Sequence, residues 1–402
     1  MSEFSKVAID SITQNLDDIR QRLSLNIQGN ANTQTLSGQI LSEDDLENKR
    51  ISGGLNILLY GVPGSGKSWT IEHEYLDEKS IVERVVFHPD YTYSDFVGQI
   101  LPDVNNNQVT YIFTPGPFTR IMQDAYNNPQ NKYILIIEEI NRGNAPAIFG
   151  EVFQLLDRSL ELKTVNKINY PIGTSEYGIT NRYIAEQMYK DGSHKVRIPS
   201  NLSIIGTMNT SDQNVFTLDT AFQRRWNMRL IENTFDNVHP SLADALILDT
   251  EVTWKTFCTT INNLVIANKA KIASAEDKRL GVFFIHKSDI EFNVENVYKT
   301  TELRPELNSL LELERNNNIT PEQNKRLAEI RDGLKNIRKF PEKVLKYLWD
   351  DAFKFNPESL FDTDNMDSLE KVIRTFVYSK GKDRFNIFKP SVRAIFYPDK
   401  HD

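Results

Sequence analysis

The stretch Gly61-Val62-Pro63-Gly64-Ser65-Gly66-Lys67-Ser68 decides the fold. It fits the pattern G-x-x-x-x-G-K-[S/T], with an apolar run at 57–60 before it and a helical pattern over 67–77 after it. Strand, glycine-rich turn and helix are the context that this pattern needs. The glycines let the backbone bend round a chain of phosphates, so that successive N–H groups point inward. The helix N-terminus adds partial positive charge. Lys67 is placed to reach β- and γ-phosphates and Ser68 to ligate Mg²⁺. Gly61, Pro63, Gly64, Ser65, Gly66 and the neighbouring Trp69 complete the candidate binding set.

Further apolar runs follow at 85–88, 133–137, 202–208 and 226–231, most of them near-continuous, as in strands buried on both faces. Helical patterns lie between several of them, at 117–127 and 146–158. Strands separated by helices predict an α/β fold, a parallel sheet with helices on both faces. Residues 161–198 interrupt it with polar, Tyr-rich sequence; the turn signals Pro171-Ile172-Gly173 and Asp191-Gly192-Ser193 read as a hairpin insertion. Beyond residue 236 the pattern is mostly helical. A Leu-rich run over 302–315, the break Asn316-Asn317-Asn318 and the helix start Thr320-Pro321-Glu322-Gln323 predict a charged helical hairpin near 302–338. Ahead of the sheet, Val7, Ile9, Ile12, Leu16, Ile19 and Leu23 recur at helical spacing over 3–27, and 28–50 read mainly as a polar linker. The expected organisation is helix and linker over 1–50, a nucleotide-binding core over 51–235 and a helical lid over 236–402.

The length, 402 residues, suggests two or three domains at ~100–200 residues each. Lys and Arg total 47 against 55 Asp and Glu, a net charge of -8, which argues against a surface that grips nucleic acid by charge over its whole extent. The single cysteine, Cys258, rules out a disulfide framework or a Cys-built metal cluster. No apolar run approaches the ~18 residues that span a membrane, and Met1-Ser2-Glu3-Phe4 opens no secretion signal. A cytoplasmic protein with no membrane partner is expected.

A second block closes the strand at 133–137 with Glu138-Glu139. An apolar strand that delivers two carboxylates suits a division in which Glu138 holds Mg²⁺ through water and Glu139 polarises the attacking water. Asp is usual in the first position; the extra methylene of Glu138 moves its carboxylate by about one bond length, and Mg²⁺ tolerates little geometric error. A third block, Gly206-Thr207-Met208-Asn209-Thr210-Ser211-Asp212, ends another apolar strand, where Asn209 is placed to orient the lytic water. A fourth, Phe222-Gln223-Arg224-Arg225-Trp226, sets two arginines before a strand. Beside a phosphate loop they become candidates for a neighbouring subunit's site, where an Arg supplied in trans raises phosphoryl-transfer rates roughly 10³–10⁵-fold.

Together the four blocks resemble the AAA+ superfamily of P-loop NTPases and, more narrowly, the McrB family of motors in McrBC-type restriction systems. Glu138-Glu139-Ile140-Asn141-Arg142-Gly143-Asn144 and Phe149-Gly150-Glu151 are similar to the family's D-E-I-N-R-x-N and F-G-E. The third block is similar to its G-T-M-N-T-A-D-R, and Leu218-Asp219-Thr220-Ala221-Phe222-Gln223-Arg224-Arg225-Trp226 to L-D-x-A-L-R-R-R-F. Phe87-His88-Pro89-Asp90-Tyr91-Thr92-Tyr93-Ser94-Asp95-Phe96 is similar to F-H-x-S-Y-x-Y-E-D-F. The resemblance implies a ring motor, often hexameric, that hydrolyses GTP or ATP with Mg²⁺ between subunits. It implies Asn209 as the sensor with Asp212 in the same motif, Glu139 as the catalytic glutamate, and Arg142, Arg224 and Arg225 as residues acting at the subunit interface. It also implies a McrC-like nuclease or effector partner, with DNA reached through the assembled complex. Three departures stand out. Glu138 replaces Asp, Gln213 replaces the closing Arg of the sensor motif, and about 50 residues precede the motor, so a DNA-reading domain is not expected. Two other functions fit the same core: a MoxR-like protein-remodelling ATPase, and a nucleotide-gated scaffold with little turnover.

Residues 279–286 read as a lid strand or helix that joins the core, with nucleotide contact as the other reading. Tyr91, Tyr93 and Phe96 read either as packing or as a loop facing a ring centre, and the basic run Lys335, Arg338, Lys339, Lys343, Lys346 as a solvated helix face, with DNA or partner contact as the other reading.

Overall fold

The computed structural model describes residues 43–105, 108–210, 215–268, 275–292, 297 and 303–398. The amphipathic stretch at 3–27 and Asp212 with Gln213 lie outside the described residues. Contacts divide the chain after Leu46. Of the first unit only 43–46 are described, the opening of a helix, Glu43–Asn48, in what the sequence reads as linker. Its first turn carries Glu43, Asp44 and Asp45, where negative charge suits the helix dipole.

The second unit, Glu47–Asp402, is built on a five-stranded parallel sheet. Its strands are β1 (Asn56–Gly61), β2 (Ile81–Val86), β5 (Tyr133–Glu138), β8 (Leu202–Asn209) and β9 (Asn227–Leu230), in the order β2-β5-β8-β1-β9. Two antiparallel hairpins stand beside it: β3 (Gly98–Asn105) with β4 (Gln108–Pro115), and β6 (Lys163–Val165) with β7 (Ile168–Tyr170). The three central strands are buried nearly throughout, whereas the edge strands β2 and β9 are largely exposed. Near-continuous apolar sequence therefore describes the centre of the sheet alone. β2 starts at Ile81 rather than 85, because an edge strand tolerates Glu83 and Arg84.

Side-chain alternation sorts the central strands between two clusters. Ile57, Leu59, Ile134, Ile136 and Ile205 join Ile71 beneath the helical segment that follows the glycine loop. Leu58, Leu135, Ile137, Leu202 and Ile204 face the other way, onto Phe118, Phe149 and Phe222. Each fully buried Leu, Ile or Phe stabilises by about 1.5–3 kcal/mol. Phe96 belongs to this second cluster, and Tyr93 packs over Gly150 with its hydroxyl donating to Glu151, so these aromatics are packing groups.

The insertion does contain a hairpin, but its turn is Asn166-Lys167, both at positive φ, the backbone twist that tight hairpins favour. Pro171 to Gly173 instead returns the chain to the sheet's base, where Gly53 N donates to the Ile172 carbonyl.

From 245 onward, buried side chains such as Trp254, Phe257, Leu327, Phe340 and Phe376 form a cluster of their own. The helical hairpin is Leu303–Arg315 and Pro321–Phe340, the second opened by a Thr320/Gln323 capping box. Arg326 and Arg331 pair with Glu306 and Glu314 across it. Within the basic run, Arg338, Lys343 and Lys346 pair with Glu342, Asp289 and Asp350 on the exposed face. Arg384, fully buried, donates to Asp249 at 2.5 Å and to the Phe376 carbonyl at 2.6 Å. Arg384→Leu should therefore cost about 3 kcal/mol of stability, because it removes the charged partner of Asp249 and leaves a buried carbonyl unpaired. A urea midpoint equal to the parent's would show that both groups find other partners.

Candidate functional site

The three buried strands end side by side. In the register Gly61 stands opposite Asn209 on β8, and Gly206 opposite Ile137 on β5. The chain leaves β1 at Gly61 and turns through the glycine loop into the helix Lys67–Thr70, extended by a π-turn to Tyr75. Gly64 sits at φ +75, and a side chain there would lie 2.9 Å from the Phe284 backbone.

Lys67 is buried at 8 % exposure. Its ammonium donates to the carbonyls of Gly61 and Val62, both at 3.0 Å, and to Asn209 Oδ1 at 2.7 Å. Asn209 Nδ2 in turn donates to Glu139 Oε1 at 2.6 Å. The other oxygen, Oε2, is 3.3 Å from Arg142 Nε. Asn141 Nδ2 fixes the end of β8 by donating to the Asn209 carbonyl, and Thr207 Oγ1 accepts from Glu139 N. Glu139 adopts the left-handed conformation, φ 52 and ψ 45, which costs an L-residue roughly 1–2 kcal/mol and turns its side chain out of the alternation of β5.

Pro63, Gly64, Gly66, Lys67, Ser68, Trp69, Glu139 and Asn209 thereby line one cavity of about 640 Å³. Ser65 lines a smaller neighbour of about 320 Å³ that shares Gly66, Trp69 and Phe283 with the first. Ser65 Oγ is buried without a hydrogen-bond partner, and a buried polar atom in that state calls for a ligand or water. Trp69 is half exposed and stacks on His73 at 4.2 Å.

Glu138 behaves differently from its neighbour. It does not line the cavity, and its Oε1 accepts from Arg84 Nη1 at 2.6 Å. The arginine pair also divides. Arg225 is tied inward: Nε donates to Asp157 at 3.0 Å, Nη1 to the Ala221 carbonyl at 2.8 Å, and the guanidinium lies 4.0 Å from the Phe153 ring centre. Arg224 is exposed and makes no side-chain hydrogen bond or ion pair among the described residues. Both arginines line a separate cavity of about 750 Å³, which holds none of the glycine loop.

Residues 279–286 form turns, not a strand or helix, because side chains hold their backbone. Asn233 and Asn262 donate to the Leu280 carbonyl, Val282 N donates to Asn233, and Trp254 Nε1 donates to the Val282 carbonyl. The turns press on the glycine loop: Phe283 N donates to the Gly64 carbonyl at 2.9 Å, and a Cβ on Gly281 would lie 2.2 Å from the Pro63 carbonyl. Phe283, Ile285, His286 and the more distant Leu242 form the far wall of the 640 Å³ cavity. Phe283, Ile285 and His286 fall in the segment 279–286, for which nucleotide contact is one of the two sequence readings, whereas Leu242 carries no mark in the sequence. Gly281, directly ahead of the apolar run 282–285, is the signal that marks a close backbone approach.

A strand, glycine loop and helix beside two further strand ends, joined to a helical C-terminal region, define a P-loop NTPase of the AAA+ class. The family model for the AAA domain of the dynein-related subfamily matches residues 56–226. YdiS, a component of the type II restriction enzyme BsuMI from Bacillus subtilis strain 168, is 35% identical over 277 residues, 61% of this chain and 76% of that protein. The EcoKMcrB subunit of a type IV methyl-directed restriction enzyme from Escherichia coli K12 is 34% identical over 193 residues, 47% of this chain and 38% of the subunit. The chain belongs to the McrB-like AAA+ ATPases of restriction systems. Among the described residues no helix is long and apolar enough to cross a membrane.

Burial pulls the Lys67 ammonium down to about 8, partly offset by Glu139. A phosphate chain beside it would restore its charge, so binding takes up a proton above that pH. Affinity for a nucleoside triphosphate should fall about tenfold at most between pH 7.5 and 9, where the phosphates are already ionised. Calorimetry in buffers of different ionisation enthalpy reads the coupled proton directly, and a flat profile would contradict the lowered value.

Proposed function

We propose that the chain is the Mg²⁺-dependent, GTP- or ATP-hydrolysing ring motor of a McrBC-like restriction and defence system. It works with a separate McrC-like nuclease or effector subunit. The observation that carries this reading is the hydrogen-bonded chain from Lys67 through Asn209 to Glu139 along one cavity wall. The names of the two relatives, one a component and one a subunit of a restriction enzyme, support a chain that acts within an assembly.

The geometry supports the following roles. The backbone of the loop between Gly61 and Gly66 cradles phosphates, and Lys67 exchanges its two carbonyl partners for phosphate oxygens. Glu139 Oε1, already held by Asn209, is oriented as the base that takes the proton of the attacking water. The Ser68 hydroxyl lines the same wall and is the hard oxygen donor that Mg²⁺ takes, so the residues fit a nucleotide-borne cation. When bound, that cation supplies neutralisation of the charge developing on the phosphates. Arg142 stands in cis beside Glu139. Arg224, exposed and uncommitted, is the residue of the pair suited to act on a neighbouring subunit's nucleotide, while Arg225 holds its own fold together.

Lys67→Ala should lose nucleotide binding. Glu139→Gln should keep it and lose turnover roughly 10²-fold or more; hydrolysis by Glu139→Gln at the parental rate, with ATP and GTP tested side by side, rejects this assignment.

Arg224→Ala should lower the rate of the assembled protein roughly 10³-fold with nucleotide affinity preserved. Mixing it with Glu139→Gln should restore part of the activity, since each protein then supplies what its neighbour lacks. No recovery on mixing, with assembly intact, would place Arg224 outside the reaction.

A further inference from the structure

Among the described residues β2 is an edge strand that pairs with β5, with Arg84 opposite Ile136 and Val86 opposite Glu138. Arg84 and Glu138 are therefore diagonal neighbours on one face of the sheet, a separation that a long side chain spans. Arg84 Nη1 donates to Glu138 Oε1 at 2.6 Å, and Nη2 lies 3.7 Å from Glu72 Oε1. Glu72 follows Ser68 by four residues, one helical turn, so the two share a side of that helix. The guanidinium thus bridges the first carboxylate of the Glu138-Glu139 pair and a carboxylate one turn along the helix from Ser68, which lines the cavity.

This triad is not a buried structural pair. The side chains of Arg84, Glu138 and Glu72 are 38%, 26% and 55% exposed. A pair so solvated is held weakly and exchanges readily. The length of Glu138 matters as well, since an aspartate would end one bond short of this contact. Glu138 also stays off the cavity wall that Glu139 lines.

We propose that Arg84 is a positioning residue that competes with the nucleotide's divalent cation for Glu138, setting the Mg²⁺ concentration at which the site loads. The proposal rests on the nucleotide reading above. While the guanidinium holds Oε1, the carboxylate is neutralised and withheld. When Mg²⁺ arrives with the triphosphate, Glu138 exchanges one cation for the other, and Arg84 retains Glu72.

The test is equilibrium binding of a fluorescent, non-hydrolysable triphosphate analogue to the full chain, titrated with Mg²⁺ and repeated in EDTA. Arg84→Ala should lower the half-saturating Mg²⁺ concentration about three- to fivefold and leave the affinity in EDTA unchanged. Arg84→Lys, which keeps the charge but not the fork, should fall between the two. Electron paramagnetic resonance of Mn²⁺ bound with the analogue should show the same order. An unchanged Mg²⁺ requirement in both variants overturns the competition, and a raised one shows that Arg84 merely holds Glu138 ready for the metal, which overturns it too. A parent that binds no analogue at any Mg²⁺ concentration overturns the nucleotide reading and this proposal with it.

Discussion

The site is arranged around a buried ammonium whose direct partners are two carbonyls and an amide oxygen. A charge withdrawn from water is costly unless it is paired, yet Lys67 reaches Glu139 only through Asn209. The arrangement depends on β8 lying between β1 and β5. Only in that order does Asn209 stand opposite Gly61 and beside the end of the strand that carries Glu139. Exchange β8 with an edge strand and Lys67 loses its strongest neutral partner, while Glu139 loses the group that orients it. Burial holds the Lys67 ammonium below its ordinary value, at about 8, so the compensation by these partners is incomplete. An arriving polyanion supplies what the protein leaves out, and its binding is favourable for that reason.

A second dependence runs from the glycine loop to the helical region. Gly64 and Gly281 allow two backbones to touch where side chains would collide. The hydrogen bond from Phe283 N to the Gly64 carbonyl then ties the loop that bends round phosphates to turns clamped by Asn233, Asn262 and Trp254. Trp254 and Leu280 belong to the C-terminal core. A shift of the loop at Gly64 is thus passed to that core through close-packed atoms, which transmit displacement because they have no slack to absorb it.

Much of this was legible in the sequence, for physical reasons that also explain the rest. The glycine loop and the central strands announce themselves, because fully buried parallel strands demand unbroken apolar runs. The hairpin β3–β4 escaped notice. Ile100, Pro102 and Val104 pair with Phe113, Tyr111 and Val109 on one face, an alternation with Pro in the strand and exposed apolar side chains that resembles neither template. Trp69, Lys67 and Asn209 are where the motifs put them, but Arg84 was invisible: on an edge strand a charged residue is ordinary, and only the register brings it to Glu138. The double arginine is ambiguous from sequence, since the identity of the residue that turns inward depends on Asp157 and Phe153, some seventy positions away.

The adjacent carboxylates show how little sequence adjacency says about role. Glu138 closes β5 in extended conformation, and its side chain follows the alternation of the strand toward β2 and Arg84. One residue later the backbone turns left-handed, and Glu139 swings toward β8, Asn209 and Arg142. Each carboxylate thereby has a guanidinium of its own. Two unscreened carboxylates beside a phosphate chain would repel it by an amount that grows as the site dries, since like charges about 4 Å apart interact by roughly 4 kcal/mol at an effective dielectric near 20. Arg84 and Arg142 cancel that repulsion before the ligand arrives, which leaves Lys67 as the charge that the phosphates meet.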